Sequence, residues 1–292
     1  FDKYREIPQY QLVNRGMTLD EFKIIYWWEW GHRQLGRVIG LVWGLGFLWF
    51  LARRQIPAGW TGRLLGLGAL GGLQGAIGWW MVASGLEGTM ISVASYRLAI
   101  HLGLAFTILG LIAWYMMHLR RSEADLLQTR RQRNGKLMGW GTLLIVVGFG
   151  QIILGALVAG IDAGRGYIDW PLMGGEVFPS DAFNIQPLWR NFLENPALVQ
   201  FNHRVLGYVL ALLGLMAWLT SRKTASGDIR RAYRDMILML AIQVAIGIFT
   251  VLYAAPWQIA IVHQLGAVLL FVLIIRCRFA ALYPRSERIA RG

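Results

Sequence analysis

Five histidines occur in this 292-residue chain, and four of them fall into two matched pairs. His32 and His203 open apolar segments in near-identical settings, HRQLGRVIG (32–40) and HRVLGYVLA (203–211), and His101 and His263 follow 69 and 60 residues later. An ionisable side chain inside an apolar helix is costly unless something binds it, so a duplicated pair points to two metal or heme sites. Two imidazoles facing each other across a helix bundle supply the axial ligands of a b-type heme. Zinc needs further protein ligands that these segments lack. A single intramembrane histidine has a competing account as a hydrogen-bonding partner between helices, but four in register across a repeat do not fit it. The fifth, His118, stands beside Arg120 and Arg121, has no counterpart in the other half and reads as an interfacial residue.

The neighbours of the two pairs differ where chemistry would show it. Glu29 precedes His32 by three residues, on the same helix face, whereas Gln200 holds the matching place before His203. A carboxylate exchanges a proton and stabilises developing positive charge; an amide does neither. The asymmetry predicts a reactive first site and a second site that only transfers electrons. The competing account is that Glu29 caps a helix start or faces outer water. Arg33, Arg37, Arg97 and Arg204 lie near the same ends and are candidate contacts for heme propionates, since a guanidinium donates two parallel hydrogen bonds to a carboxylate. The same arginines serve equally as interface anchors that snorkel to lipid headgroups.

These residues need elements to hold them. Hydrophobic residues make up 56% of the chain and charged residues only 15%. Apolar stretches of twenty or so residues are the length required to cross about 30 Å of hydrocarbon. Seven spans are expected, at 31–51, 62–83, 95–118, 138–160, 199–220, 235–254 and 257–277, and they must be helical because lipid offers no partner for an unpaired amide. The net charge of +13 encodes topology and excludes a nucleic-acid binder. Of 29 Lys and Arg, 19 fall around Arg53, Arg54 and Arg63, from Arg120 to Lys136, from Arg222 to Arg234, and from Arg276 to Arg291. The alternate segments, 1–30, 84–97, 161–196 and 255–262, hold eleven of the sixteen acidic residues. The basic links and the C-terminus are therefore cytoplasmic.

Residues 1–30 then lie on the outer side with no span or signal peptide before them to carry them across, so an additional upstream span is expected. The fold class is an all-α integral membrane protein of two pseudo-symmetric four-helix bundles, with seven of eight spans visible. Its halves are 1–119, with the first histidine pair, and 137–292, with the second, joined by a cytoplasmic linker at 120–136.

The repeat extends beyond the histidines. LQGAIGWWMV (73–82) aligns with IQVAIGIFTV (242–251), and a third Gln-Gly segment, QIILGALVAG (151–160), opens the second half. Glycines at spacings of three and four, such as Gly36 and Gly40 or Gly68, Gly71, Gly72 and Gly75, are assigned to close helix packing, a few of them to making room for a flat macrocycle. The single Cys277 excludes an intrachain disulfide and is expected to be a small apolar filler. Counted along the helices at 1.5 Å per residue, His203 and His263 lie about 10 Å in from Pro196 and Pro256, and His101 about 14 Å in from the neutral link, so all four histidines belong to the outer half of the membrane.

EWGHRQLGRVIG (29–40), LQGAIGWWMV (73–82), YRLAIHLGLAF (96–106), WPLMGGEVFP (170–179), NHRVLGY (202–208) and IVHQLGA (261–267) together resemble the heme A synthase family, and 2–26 resembles its alphaproteobacterial and mitochondrial branch. Each motif alone is weak; their order and number along nearly the whole chain are specific. The resemblance implies oxidation of the C8 methyl of heme O to a formyl group, giving heme A for cytochrome oxidase. It further implies that His32 and His101 hold the substrate heme, that His203 and His263 ligate a permanent heme b, and that Glu29 is the acidic residue of the reactive site. Heme O synthase, oxidase assembly factors and an electron donor or acceptor are the partners it implies, in a bacterial inner membrane, or the mitochondrial one if the source is eukaryotic. Self-association is compatible with the small-residue faces. Some members carry a cysteine pair in the first outer loop; residues 1–30 have none.

Two other classes fit parts of the pattern. A di-heme b-type carrier passing electrons from a quinol would show the same bis-histidine spacing. A transporter built from repeats would place its polar residues at the midplane, whereas these histidines share one side.

Overall fold

Helix-start signals fix most boundaries of this chain. The computed structural model describes residues 1–83, 93–224 and 226–285. Among them the α-helices are α1 (Asp2–Arg5), α2 (Pro8–Leu12), α3 (Leu19–Ala52), α4 (Thr61–Ala83), α5 (Ser95–Leu119), α6 (Glu123–Arg130), α7 (Gly135–Gly160), α8 (Asn191–Glu194), α9 (Pro196–Ser221), α10 (Gly227–Leu252) and α11 (Trp257–Leu282). No strand occurs among the described residues, and seven of the helices, α3, α4, α5, α7, α9, α10 and α11, are long and apolar enough to cross a membrane. These are the seven expected spans. Most of the neutral link 84–97 and the end of the basic tail lie outside the described residues.

One expectation is corrected at α3. Residues 19–30 were expected to belong to a polar outer segment, but they are the first turns of a 34-residue helix. The cause is a capping box: the Thr18 hydroxyl accepts from the Glu21 amide at 3.3 Å, and the Glu21 carboxylate accepts from the Thr18 amide at 2.8 Å. At 1.5 Å per residue the helix is about 51 Å long, so it outruns a hydrocarbon layer of about 30 Å. It ends as helices with a left-handed terminal residue do: Arg54, at φ +53°, donates its amide to Leu51 O while Gln55 donates to Phe50 O. The same closure at Ala254 ends α10 and turns the chain into α11 within four residues.

The start expected for the span of His101 is the one observed. Its helix begins at Ser95, six residues before it, so it lies about 9 Å from the helix start. That matches His203, seven residues after Pro196, and His263, six after Trp257.

The chain divides into two compact units, 1–108 and 109–292, with the division inside α5. In the second unit α7, α9, α10 and α11 form a closed ring, each packed on the next. Leu137, Leu144, Ile229, Met236, Ile274 and Cys277 fill its core, and the Tyr233 hydroxyl donates to Leu137 O at 2.5 Å. Cys277 is thus the small filler expected. Lipid tails are as apolar as leucine, so shape fit and not burial alone must hold such a bundle. At Gly141 a Cβ would come within 2.8 Å of the Arg278 backbone, which lets α7 and α11 approach closely. Gly68 is covered by the Trp43 indole. By contrast, Gly36, Gly40, Gly71, Gly72 and Gly75 meet nothing within 4 Å, so packing among the described residues does not explain them.

At the basic end of the second unit, the buried Arg121 side chain ties three segments together. It pairs with Asp125, donates to Thr129 Oγ1 at 2.9 Å and donates to Tyr283 O at 2.6 Å. His118 is enclosed nearby by Trp114, Phe279 and Tyr283, its Nδ1 3.0 Å from Trp114 O, which gives it a structural setting. Arg121→Ala is expected to destabilise the protein by about 2 kcal/mol, since the partners of a buried cation lose charged hydrogen bonds. A lowered thermal midpoint in detergent checks this; an unchanged midpoint refutes it.

Candidate functional site

The four histidines stand at similar distances from the basic ends of their spans. Counted back from the basic ends Ala52, Leu119, Ser221 and Leu282, His32, His101, His203 and His263 stand 20, 18, 18 and 19 residues away. That is about 27 to 30 Å, close to the full hydrocarbon thickness.

In the first unit, the rings of His32 on α3 and His101 on α5 face each other with centroids 6.5 Å apart and planes inclined by 70°. Two metal–imidazole bonds of about 2 Å each, with ring centres about 1.1 Å behind the ligating nitrogens, separate the centres by roughly 6 Å. The centroid separation of the pair is close to that figure. No cluster of three or more His, Cys, Asp or Glu suited to an ion occurs among the described residues. A macrocycle supplying its own four nitrogens suits a two-histidine site better than a bare ion does.

Three of the histidines share one further contact. Gln74 on α4 donates its Nε2 to His101 O at 3.0 Å and lies 3.3 Å from His101 Nε2. Gln151 on α7 does the same to His203, at 3.0 Å to the carbonyl oxygen and 3.4 Å to Nε2. Gln243 on α10 repeats it at His263, at 2.7 Å to the carbonyl oxygen and 3.2 Å to Nδ1. Four residues after each glutamine stands a glycine whose Cβ, if present, would lie 2.8, 3.1 or 3.0 Å from the Cε1 of that histidine, at Gly78, Gly155 and Gly247 respectively. The sequence carried the signal, Gln-x-x-x-Gly three times, but its glycines were assigned to helix packing or to a macrocycle. They clear space for the imidazoles themselves.

The polar neighbours separate the two sites. Gln200 is buried and donates to Tyr167 O at 2.9 Å. Arg204, one turn on, donates to Tyr167 O, Asp169 O and Leu172 O, each at 2.9 Å, and Trp170 Nε1 donates to the Tyr208 hydroxyl at 2.9 Å. These bonds strap residues 167–172 of the loop onto α9 beside His203. In the first unit, the matching residues Glu29 and Arg33 pair with each other, both about half exposed. Arg97 stacks its guanidinium over Trp80 and Tyr96, at 5.2 and 5.6 Å from the ring centres, and Arg37 donates to Gln34 Oε1 at 3.3 Å.

The strap has its own charge logic. The Asp169 carboxylate accepts from the amides of Gly175 and Gly174 at 3.0 and 2.9 Å, which holds its pKa below the usual carboxylate range, and both glycines have the positive φ the turn requires. The Tyr167 phenol is pushed up to about 12, first by its hydrogen bond to Asp181 and then by burial. A depressed Asp pKa stabilises the fold above the unfolded value of about 3.9 and loses that contribution as pH falls through the folded value. The Gly174 and Gly175 amides are therefore expected to lose hydrogen-exchange protection on acidification below about pH 4. Protection unchanged down to pH 2 would contradict the turn's dependence on Asp169.

Comparison with known proteins places these features in a group. Residues 1–275 match the family described as cytochrome oxidase assembly protein. The chain is 63% identical over 284 residues to a heme A synthase of Dinoroseobacter shibae, covering 97% of this chain and 74% of that protein. It is 61% identical over 292 residues to one of Ruegeria pomeroyi, covering 99% and 77%, and 60% identical over 292 residues to one of Paracoccus denitrificans, covering 100% and 76%.

Proposed function

Because this chain belongs to the cytochrome oxidase assembly protein family, we propose that it is the membrane oxidoreductase making heme A from heme O, with the substrate heme between His32 and His101. The observation that carries the placement is the opposed ring pair 6.5 Å apart with a carboxylate three residues from one of its members. His203 and His263, each held by a glutamine, are the ligands of a resident heme b. That group exchanges single electrons when bound; it supplies no atom to the product.

The net change at the C8 methyl is CH₃ to CHO. The oxygen atom comes from water or from dioxygen; with water as the source, four electrons and four protons leave to an external acceptor and to solvent. Electrons must go to an acceptor one or two at a time, and protons must leave the reacting carbon in the same steps. Glu29 is the residue placed to take them, because a carboxylate accepts a proton that the amide of Gln200 cannot. It pairs with Arg33, one helical turn on. The second half differs for a structural reason: Gln200 and Arg204 are committed to loop carbonyls. Arg33, Arg37 and Arg97 are the candidate propionate contacts of the first unit, and Arg204, which also holds the strap, is that of the second.

The basic links face the cytoplasm and the four histidines the opposite side, in two pseudo-symmetric halves, 1–119 and 137–292. Since a hydrophobic heme does not cross water freely, heme O arrives from its synthase and heme A leaves to oxidase assembly factors. The test is to extract the pigments of the purified protein with acid-acetone and separate them. Heme O or heme A together with heme b supports the synthase. Heme b alone supports an electron carrier and overturns the proposal.

A further inference from the structure

The three glutamines beside the histidines are not explained by helix packing alone. Gln74, Gln151 and Gln243 each stand four residues before the glycine that faces their histidine, Gly78, Gly155 and Gly247, so the contact recurs in one register. The bond to the histidine's own backbone carbonyl settles the amide's orientation, because only the NH₂ side can approach a carbonyl oxygen. The ring contact then comes from the same nitrogen. Two of the clasps are reciprocal: Gln151 Nε2 would lie 3.2 Å from a Cβ at Gly207, and Gln243 rests on Gly266, so each helix's polar side chain sits over a glycine of the other.

What remains is one unpaired atom per clasp. Oε1 of Gln74, Gln151 and Gln243 is buried without a hydrogen-bond partner, and so is Nδ1 of His101 and of His203. A buried amide oxygen left unpaired is costly, and the same cost three times in one register calls for a use. A histidine that gives one ring nitrogen's lone pair to a metal carries its proton on the other nitrogen, and that N–H needs an acceptor.

We propose that Gln74, Gln151 and Gln243 are positioning residues for His101, His203 and His263: one amide clamps backbone and ring through its NH₂ group, and it rotates to present its oxygen to the ring N–H once the other ring nitrogen binds iron. This rests on the assignment of those histidines as heme ligands. An acceptor on the ring N–H makes the imidazole a stronger donor and favours ferric iron. Removing the acceptor favours ferrous iron, and replacing it with a carboxylate favours ferric iron further.

The experiment uses the heme-loaded protein with Gln151→Leu and Gln151→Glu. Gln151→Leu is expected to lose heme b to excess apomyoglobin 10- to 100-fold faster. The reduction equilibrium of its bound heme b is expected to move about tenfold toward ferrous, which is 59 mV for one electron. Gln151→Glu is expected to move it in the opposite direction. Lowered melting temperatures with an unmoved potential in both variants would mean packing only and would overturn the proposal. Full heme b retention in His203→Ala would instead overturn the ligand assignment beneath it. If Gln151→Leu does not accumulate, Gln243→Leu and Gln243→Glu carry the same test, with the same outcomes, at the facing ligand.

Discussion

Glu29→Gln is expected to lower heme A formation by about 100-fold or more, the range in which a positioned acid or base contributes, while heme b and bound heme O stay near their normal amounts. The substitution keeps the side chain's size and takes away only its capacity to accept a proton. It also breaks the pair with Arg33, but both partners are about half exposed, and such pairs are worth less than about 1 kcal/mol. The fold should therefore persist, and the loss should be one of rate. Arg33→Gln separates the two effects: it removes the pair, retains the carboxylate and should cost much less. The measurement is product heme per unit protein over time in cells that supply heme O. Heme A accumulating at the ordinary rate in Glu29→Gln would end the case for a catalytic carboxylate there.

His203→Ala should remove heme b, and His101→Ala should instead remove the substrate heme while leaving heme b in place. Loss of a ligand exceeds the roughly 10- to 100-fold affinity cost of losing a group that only orients one. The readout is the b-type absorbance of the purified variants beside their extracted pigments. The reciprocal pattern is the decisive part, because a general loss of folding would empty both sites in either variant. His203→Ala with its full heme b content would leave the second-site assignment without support. The scaffold should tolerate the change: Gln151 holds the backbone carbonyl of residue 203, and alanine keeps that carbonyl.

The seven spans could be located from sequence because apolar length is a local property, and Pro196 and Pro256 marked the starts of α9 and α11 directly. The start of α3 was missed although Thr18-Leu-Asp-Glu21 spells a capping box. Asp20, Glu21, Lys23 and Glu29 made the segment look like an outer loop, and a charged surface helix projecting beyond the lipid has the same composition. The histidines stood out because an imidazole in an apolar run has few uses. Their glutamines did not, although the Gln-x-x-x-Gly repeat was visible, since helical spacing does not say which neighbour a polar side chain will face. The strap of residues 167–172 was harder still. Its bonds from Gln200 and Arg204 go to backbone carbonyls 32 to 37 residues away, and a carbonyl leaves no mark in the amino-acid code.

The length of α3 bears on where the released protons go. Twenty residues separate His32 from Ala52, and thirteen more helical residues lie on its other side, to Leu19. Twenty residues span about 30 Å, as thick as the oil layer itself. With Ala52 at one boundary, Glu29 and His32 stand at the opposite rim, where the aromatic girdle Tyr26, Trp27, Trp28 and Trp30 marks the headgroups. On the proposed assignment, and with water as the oxygen source, the four protons shed at that level discharge straight into bulk water. Such an enzyme needs no proton wire, and the membrane potential does no work for or against its acid–base steps.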